Sequence, residues 1–135
     1  MDFWSFLILY LLTVVVFFAI DIVWLGVISK KFYRDQLGAV MSPKVNWTAA
    51  IIFYLIFIFG IVFFVIYPAV AGDNITMAIG YGALFGFIAY ATYDLTNLAT
   101  IKGWPTLVTV VDLVWGSFLS ASTSTLVFLL YNLIS

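Results

Sequence analysis

The chain has 135 residues, of which 66% are hydrophobic and 8% are charged, and its net charge is -1. Soluble domains contain about 25% charged residues, so this composition excludes a soluble globular fold. The absence of cysteine and histidine excludes disulfides, thiolate or imidazole metal ligands, and nucleophiles that histidine activates. The slightly acidic balance also argues against nucleic acid as a partner.

Four apolar segments follow one another, each long enough for the roughly 20 residues that cross a bilayer. They predict an all-α integral membrane bundle, a single domain over residues 1–135. The predicted spans cover about residues 3–28, 43–68, 76–100 and 106–133. Ser42-Pro43 resembles an N-cap followed by proline in the first turn, and so predicts the start of the second span. Short turns at 71–74 and 102–105 separate the later spans.

The positive charges predict the orientation of the spans. Four of the five lie between the first and second spans, and one lies between the third and fourth: Lys30, Lys31, Arg34, Lys44 and Lys102. Lys and Arg in short loops are retained in the cytoplasm, so these two loops are expected inside. The N-terminus and the C-terminus are therefore both expected outside.

Three aspartates interrupt the apolar spans: Asp21 in the first, Asp94 in the third and Asp112 in the fourth. A carboxylate at the centre of a spanning helix costs about 2.5–3.5 kcal/mol, so three are not expected to face lipid separately. At 1.5 Å per residue, each lies roughly 10–12 Å from the predicted cytoplasmic boundary. We therefore expect the three carboxyl groups to meet in one polar layer.

Small residues recur every four positions in the two spans that carry Asp94 and Asp112. The stripes are Ala78, Gly82, Gly86, Tyr90 and Asp94 in the third span, and Asp112, Gly116, Ser120 and Ser124 in the fourth. Small residues at this spacing let two helix backbones approach closely. The pattern predicts that the third and fourth spans pack against each other and bring their aspartates together.

Polar and aromatic side chains accompany the aspartates. The candidates for ligand binding or proton relay are Asp21, Asp94, Asp112, Asn97, Tyr90, Tyr93, Thr96, Trp24 and Trp115. The cluster around Asp94 requires water or a ligand. Trp24 and Trp115 each follow an aspartate by three residues and share its helix face, where an indole N–H can donate. As alternatives, Trp24 anchors the membrane interface and Trp115 packs between helices.

Three motifs resemble those of a known family. They are Asp-x-x-Trp-Leu-Gly at 21–26, the run Tyr-Asp-Leu-Thr-Asn-Leu-Ala-Thr that leads to Gly-Trp-Pro at 93–105, and Asp-x-x-Trp-Gly at 112–116. They are similar to the uncharacterised bacterial membrane family called domain of unknown function 2177. The resemblance covers nearly the whole chain and implies a small multi-pass protein of the bacterial inner membrane. It implies no substrate, reaction, cofactor or catalytic residue.

Three functional hypotheses fit the residues. In the first, a transporter or carrier of a cation or small polar solute couples to protons at the carboxylates, and the short chain predicts a homodimer in the lipid membrane. In the second, an enzyme acting on lipid head groups holds a metal, Mg²⁺ or Mn²⁺, on Asp21, Asp94 and Asp112. In the third, a structural or lipid-binding accessory subunit uses neutral aspartates to fix helix register.

Overall fold

A computed structural model describes residues 2–42 and 44–135, apart from the side chain of Ile28. The helices are α1 (Phe3–Val23), a π-helical turn (Trp24–Ile28), α2 (Ser29–Leu37), α3 (Trp47–Ile61), a second π-helical turn (Val62–Ile66), α4 (Tyr67–Ala71), α5 (Ile75–Thr100) and α6 (Thr106–Ile134). No strand occurs in the described residues. The stretches long and apolar enough to cross a membrane are Phe3–Val27, Trp47–Ala71, Ile75–Thr100 and Thr106–Ile134. The predicted all-α architecture with four spans is confirmed.

Three of the four spans begin at a side-chain cap. Asp2, Asn46 and Asn74 each accept a hydrogen bond from the backbone N–H three residues later, at 2.9–3.1 Å. Each cap satisfies a donor that the first helical turn leaves without a partner. The sequence predicts that the second span starts at Ser42-Pro43, whereas the described helix starts at Trp47. Pro43 itself lies outside the described residues.

The first span continues without a break into the segment that the sequence suggests is a loop. The π-helical turn ends where the Ser29 N–H donates to the Trp24 carbonyl, and α2 follows at once. Lys30, Lys31 and Arg34 therefore lie on a helix, and all three are exposed. The opposite side of α2 is half-buried because it packs back against the bundle.

The most extensive interface joins α5 and α6. A Cβ atom built on Gly86 would lie 2.0 Å from the Gly116 carbonyl oxygen, and one on Gly82 would lie 3.0 Å from the Ser120 carbonyl oxygen. A Cβ atom on Gly80 would meet nothing within 4 Å. The small-residue stripes therefore form the contact, as predicted, because side chains larger than hydrogen do not fit there.

The apolar core fills the half of the bundle away from α2. Its buried side chains come from α1, α3, the second π-helical turn and α6, and include Leu9, Phe17, Ile58, Ile61, Leu119 and Val127. Large apolar side chains also cover the outside, for example Val15, Val114 and Leu133, which are all exposed. Such a surface is suited to lipid rather than to water. The buried carboxyl groups lie in the other half of the bundle, toward α2.

Candidate functional site

A partly open cavity of about 410 Å³ lies between the spans at the α2 end of the bundle. We call it the acidic cavity; it is lined by Asp21, Trp24, Leu25, Tyr33, Leu37, Met41, Tyr54, Tyr90, Tyr93, Trp104, Asp112 and Trp115. Seven of these twelve side chains are aromatic and two are carboxyl groups. None of the five Lys and Arg residues, all of them described, lines the cavity. The lining therefore holds two groups that can become negative and no basic side chain.

Asp94 and Asp112 form a buried pair where α5 meets α6. Asp94 has no exposed surface and Asp112 has 7%. Their carboxyl groups interact with each other, and Asp94 has no other hydrogen-bond partner in the described part of the chain. Two carboxylates at close range repel when both are ionised, so the pair favours one shared proton. Asp94 does not line the cavity and reaches it through Asp112.

Tyr33 holds α2 against this pair. Its hydroxyl donates a hydrogen bond to Asp112 Oδ1, across 79 positions of sequence. Burial, together with this hydrogen bond, raises the pKa of the Tyr33 phenol. The phenol therefore stays protonated and remains a donor to Asp112 over the physiological pH range.

Asp21 lies apart from the other two carboxyl groups. It is 4% exposed and accepts a hydrogen bond of 3.1 Å from the Tyr54 hydroxyl. Its other polar neighbour is the Trp115 indole, which lies close without completing a hydrogen bond. No group of three acidic side chains that could hold a metal ion is found among the described residues. The described residues therefore give the three carboxyl groups no common metal-binding arrangement, although Asp21 and Asp112 line one cavity.

Tyr90 links the separated acids. Its phenol lies within electrostatic range of Asp21 and Asp112, and its ring lines the acidic cavity. A Cβ atom built on Gly116 would lie 2.4 Å from the Tyr90 ring, so this glycine makes room for the ring. The predicted stripe on α6 therefore serves the site as well as the helix contact.

Trp24 and Trp115 stack on each other across α1 and α6. Their ring centroids are 4.3 Å apart and the ring planes differ by 10°. Both indole Nε1 atoms are buried and have no hydrogen-bond partner among the described residues. The stack forms part of the cavity wall. Trp24 therefore packs inside the bundle, whereas an interface anchor would lie at its surface.

Only some of the polar residues expected around Asp94 lie near the site. Tyr93 lines the acidic cavity, and its ring meets the Trp104 ring edge-on at 5.9 Å. Asn97 is half-buried and contacts the Tyr93 hydroxyl, whereas Thr96 is exposed and does not line the cavity. The structure therefore brings Tyr93 and Asn97 toward the site, and leaves Thr96 on the outside of the helix.

Sequence reasoning missed Tyr33 and Tyr54, which donate to the two carboxyl groups of the cavity. A signal was present for Tyr54, because it is the only residue with a polar side chain between positions 49 and 66. For Tyr33 the signal was its position four residues before Leu37, on one face of a basic amphipathic segment. Thr109 was also missed: its hydroxyl accepts from Trp104 Nε1 and donates to the Asp94 carbonyl.

Tyr33→Phe is expected to loosen α2, because it removes the donor to a buried carboxyl group. Leaving such an acceptor without its partner costs about 1–3 kcal/mol. Trypsin should then cleave α2 several times faster in detergent, since the helix carries three exposed cleavage sites. Tyr81→Phe, at an exposed tyrosine on α5, is the matched control. Equal cleavage rates in both variants would show that Tyr33 does not hold α2.

A comparison with protein families relates the chain to known proteins. The family model described as "Predicted membrane protein (DUF2177)" matches residues 6–129. The chain belongs to this family. The DUF2177 match includes every residue of the acidic cavity, and its description assigns a membrane location without an activity. No curated protein and no solved structure shows a significant match.

Proposed function

We propose that this protein is a small carrier that exchanges a cation for a proton across the bacterial inner membrane. One observation carries the proposal: Asp112 both lines the acidic cavity and contacts the buried Asp94. A ligand that enters the cavity therefore meets a carboxyl group whose proton is shared with a second, hidden carboxyl group. Ionisable groups inside membrane spans commonly mark ion pathways and proton relays.

The exchange follows from charge balance. A cation in the cavity stabilises the ionised form of Asp112, so the shared proton leaves to the water of the cavity. When a proton returns, the pair loses negative charge and the cation is released. One proton thus replaces one positive charge, and the buried site never holds a large net charge. Tyr33 and Tyr54 orient the two lining carboxyl groups throughout.

The orientation proposed for the carrier has both termini outside and the acidic cavity open toward the cytoplasm. The exposed positive charges on α2 support it, since α2 lies at the cavity end of the bundle. We expect a membrane-impermeant maleimide on intact cells to label Asn74→Cys and to spare Lys31→Cys. Because the chain has no cysteine, each variant carries a single site. Labelling after permeabilisation is the control, and the reverse pattern would invert the orientation.

A homodimer in the lipid membrane is part of the proposal. Four spans are few for a carrier that opens to each side in turn, and a second copy related by C2 symmetry adds four more. The wide exposed apolar faces of the spans offer surface for such a contact. Crosslinking in native membranes followed by mass measurement checks this stoichiometry.

Two observations favour a carrier over the alternatives. A metal-dependent enzyme for lipid head groups needs carboxyl groups that share one ion, and no such group of three exists among the described residues. A purely structural role predicts that the paired acids lie away from open space. Asp112 instead lines the acidic cavity while it contacts the buried Asp94.

Flux through purified protein tests the carrier. Proteoliposomes that contain a trapped pH dye and no added alkali cation receive Na⁺, K⁺ or tetramethylammonium outside. Because one monovalent cation replaces one proton, the exchange is electroneutral and needs no ionophore. Tetramethylammonium has no proton to lose, so it does not alkalinise the lumen as a neutral amine would. Exchange predicts an internal pH rise that depends on the protein. No rise with any cation would contradict the proposed exchange.

A further inference from the structure

The stacked indoles of Trp24 and Trp115 line two open spaces. One is the acidic cavity, and the other is an apolar groove of about 460 Å³ on the outer surface of the bundle. We call it the lateral groove; the two indoles, Ile20, Val23, Phe118 and Leu126 bound it. The same two rings thus belong to a cavity with carboxyl groups and to a surface that faces lipid.

We propose that the acidic cavity and the lateral groove are two halves of one binding site for an amphiphilic ammonium ion. The ammonium head occupies the acidic cavity, the alkyl chain lies in the lateral groove, and the stacked indoles are the gate between them. This inference names the substrate class of the proposed carrier. Transport of the ligand rests on the proposed function, whereas binding of the ligand does not.

The cavity lining matches an ammonium head better than a bare metal ion. Mg²⁺ and Ca²⁺ require six or more oxygen ligands at about 2.0–2.6 Å, and no three-acid group exists among the described residues. Aromatic faces attract organic cations, and quaternary ammonium groups are recognised in aromatic cages. Here Tyr54, Tyr90 and the indoles surround the Asp21 carboxyl side of the cavity. The volume of about 410 Å³ falls within the usual range of small-molecule pockets.

The lateral groove matches an alkyl chain. Val23 and Phe118 are each more than half exposed, so its rim lies open to the hydrocarbon of the membrane. The one hydroxyl on its wall, that of Ser122, donates to the Phe118 carbonyl oxygen at 2.7 Å and offers nothing to a polar ligand. A hydrophilic ion would gain nothing from this surface, whereas an amphiphile can enter from the lipid with its chain already in place.

The gate lies at an irregular point of the backbone. Trp24 is the first residue of the π-helical turn, and π-helical turns occur frequently at functional sites. Its partner Trp115 has an indole N–H that lies beside the Asp21 carboxyl without bonding to it. Separation of the rings would free this N–H to reach the carboxyl group, which offsets the lost stacking.

Binding of an alkyl series to protein in lipid nanodiscs tests the inference. Radiolabelled hexyltrimethylammonium is displaced by unlabelled tetramethyl-, butyltrimethyl- or hexyltrimethylammonium, and empty nanodiscs correct for partition into lipid. Each buried CH₂ group contributes about fourfold in affinity when fully enclosed. From methyl to hexyl the groove, which is open on one side, should raise affinity at least about tenfold. Binding should also weaken the exciton circular dichroism of the stacked indoles.

A matched pair of variants separates the groove from general effects. Ala19 is exposed on the groove wall, so Ala19→Phe should fill the groove and remove the dependence on chain length. Tetramethylammonium binding should stay unchanged, because the acidic cavity is intact. Ile79→Phe adds similar bulk at an exposed position of α5 away from the groove, and should behave like the parent protein.

Several results would overturn the inference. Equal affinities across the series would mean that lipid or a second copy fills the groove, and an unaltered series in Ala19→Phe would place the chain elsewhere. If radiolabelled hexyltrimethylammonium did not bind while Na⁺ or K⁺ still exchanged for protons in proteoliposomes, an ammonium ligand would be excluded and the carrier would stand. If affinity rose with alkyl-chain length but proteoliposomes showed no flux, the binding site would stand and the carrier function would be wrong.

Discussion

Asp112→Asn is expected to abolish proton exchange and to weaken cation binding. Asn keeps the shape of the side chain and still accepts the hydrogen bond of Tyr33, but it cannot take up or release a proton. The loss of a group that transfers protons commonly costs about 10²–10⁴ in rate, so we expect the pH change in proteoliposomes to slow at least roughly 100-fold. Cation binding should weaken as well, because a cation that releases the Asp112 proton must bind more tightly when Asp112 is ionised.

Two further variants sharpen this expectation. Asp94→Asn should also stop exchange, because the shared proton needs both carboxyl groups of the pair. Asp35→Asn removes an exposed carboxyl group of α2 and serves as the control, with flux unchanged. Full exchange activity in both buried variants would show that the pair is structural, and would favour the accessory-subunit alternative.

The architecture was predictable because a bilayer leaves few choices. Backbone groups in hydrocarbon must be satisfied within the segment, so an apolar stretch of sufficient length is a helix. The contact between α5 and α6 was predictable for a related reason: Gly82 and Gly86 repeat at the spacing of one helix face. Local pattern and tertiary contact agree here, because helices in lipid approach through small residues.

The position of Asp21 was not predictable from depth alone. Counting residues to a boundary assumes that each span ends where its apolar run ends. The first span instead passes through a π-helical turn into α2. Depth also does not say which neighbouring helix a side chain faces, and Asp21 faces Tyr54 of α3 and Trp115 of α6.

The hydroxyl donors of the site were unpredictable because they act over long sequence distances. Tyr33 reaches Asp112 across 79 positions, and Tyr54 reaches Asp21 across 33. No periodicity within one helix encodes such a pair. A buried acceptor does imply that some donor exists, so the three aspartates predicted partners without identifying them.

Gly86→Leu is expected to separate α5 from α6 and to cause the largest loss of stability. A Cβ atom at this position would lie 2.0 Å from the Gly116 carbonyl oxygen, which is backbone and cannot rotate away. Overpacking commonly costs about 1–3 kcal/mol, and a clash with backbone lies at or beyond the upper end. In detergent the midpoint of thermal unfolding should fall by roughly 10 °C or more. Gly86→Ala should show the same direction, since it adds the same Cβ atom.

Gly80→Leu is the control that isolates packing from helix propensity. Both substitutions replace glycine in α5 and gain about 0.8–1 kcal/mol of intrinsic helix stability. At Gly80 a Cβ atom meets nothing within 4 Å, so the midpoint of thermal unfolding should stay level or rise. The Asp94–Asp112 pair lies at the end of the same interface, and Gly86→Leu should therefore also disturb proton exchange. Equal midpoints of thermal unfolding for the two variants would show that the contact between α5 and α6 does not hold the carboxyl pair in place.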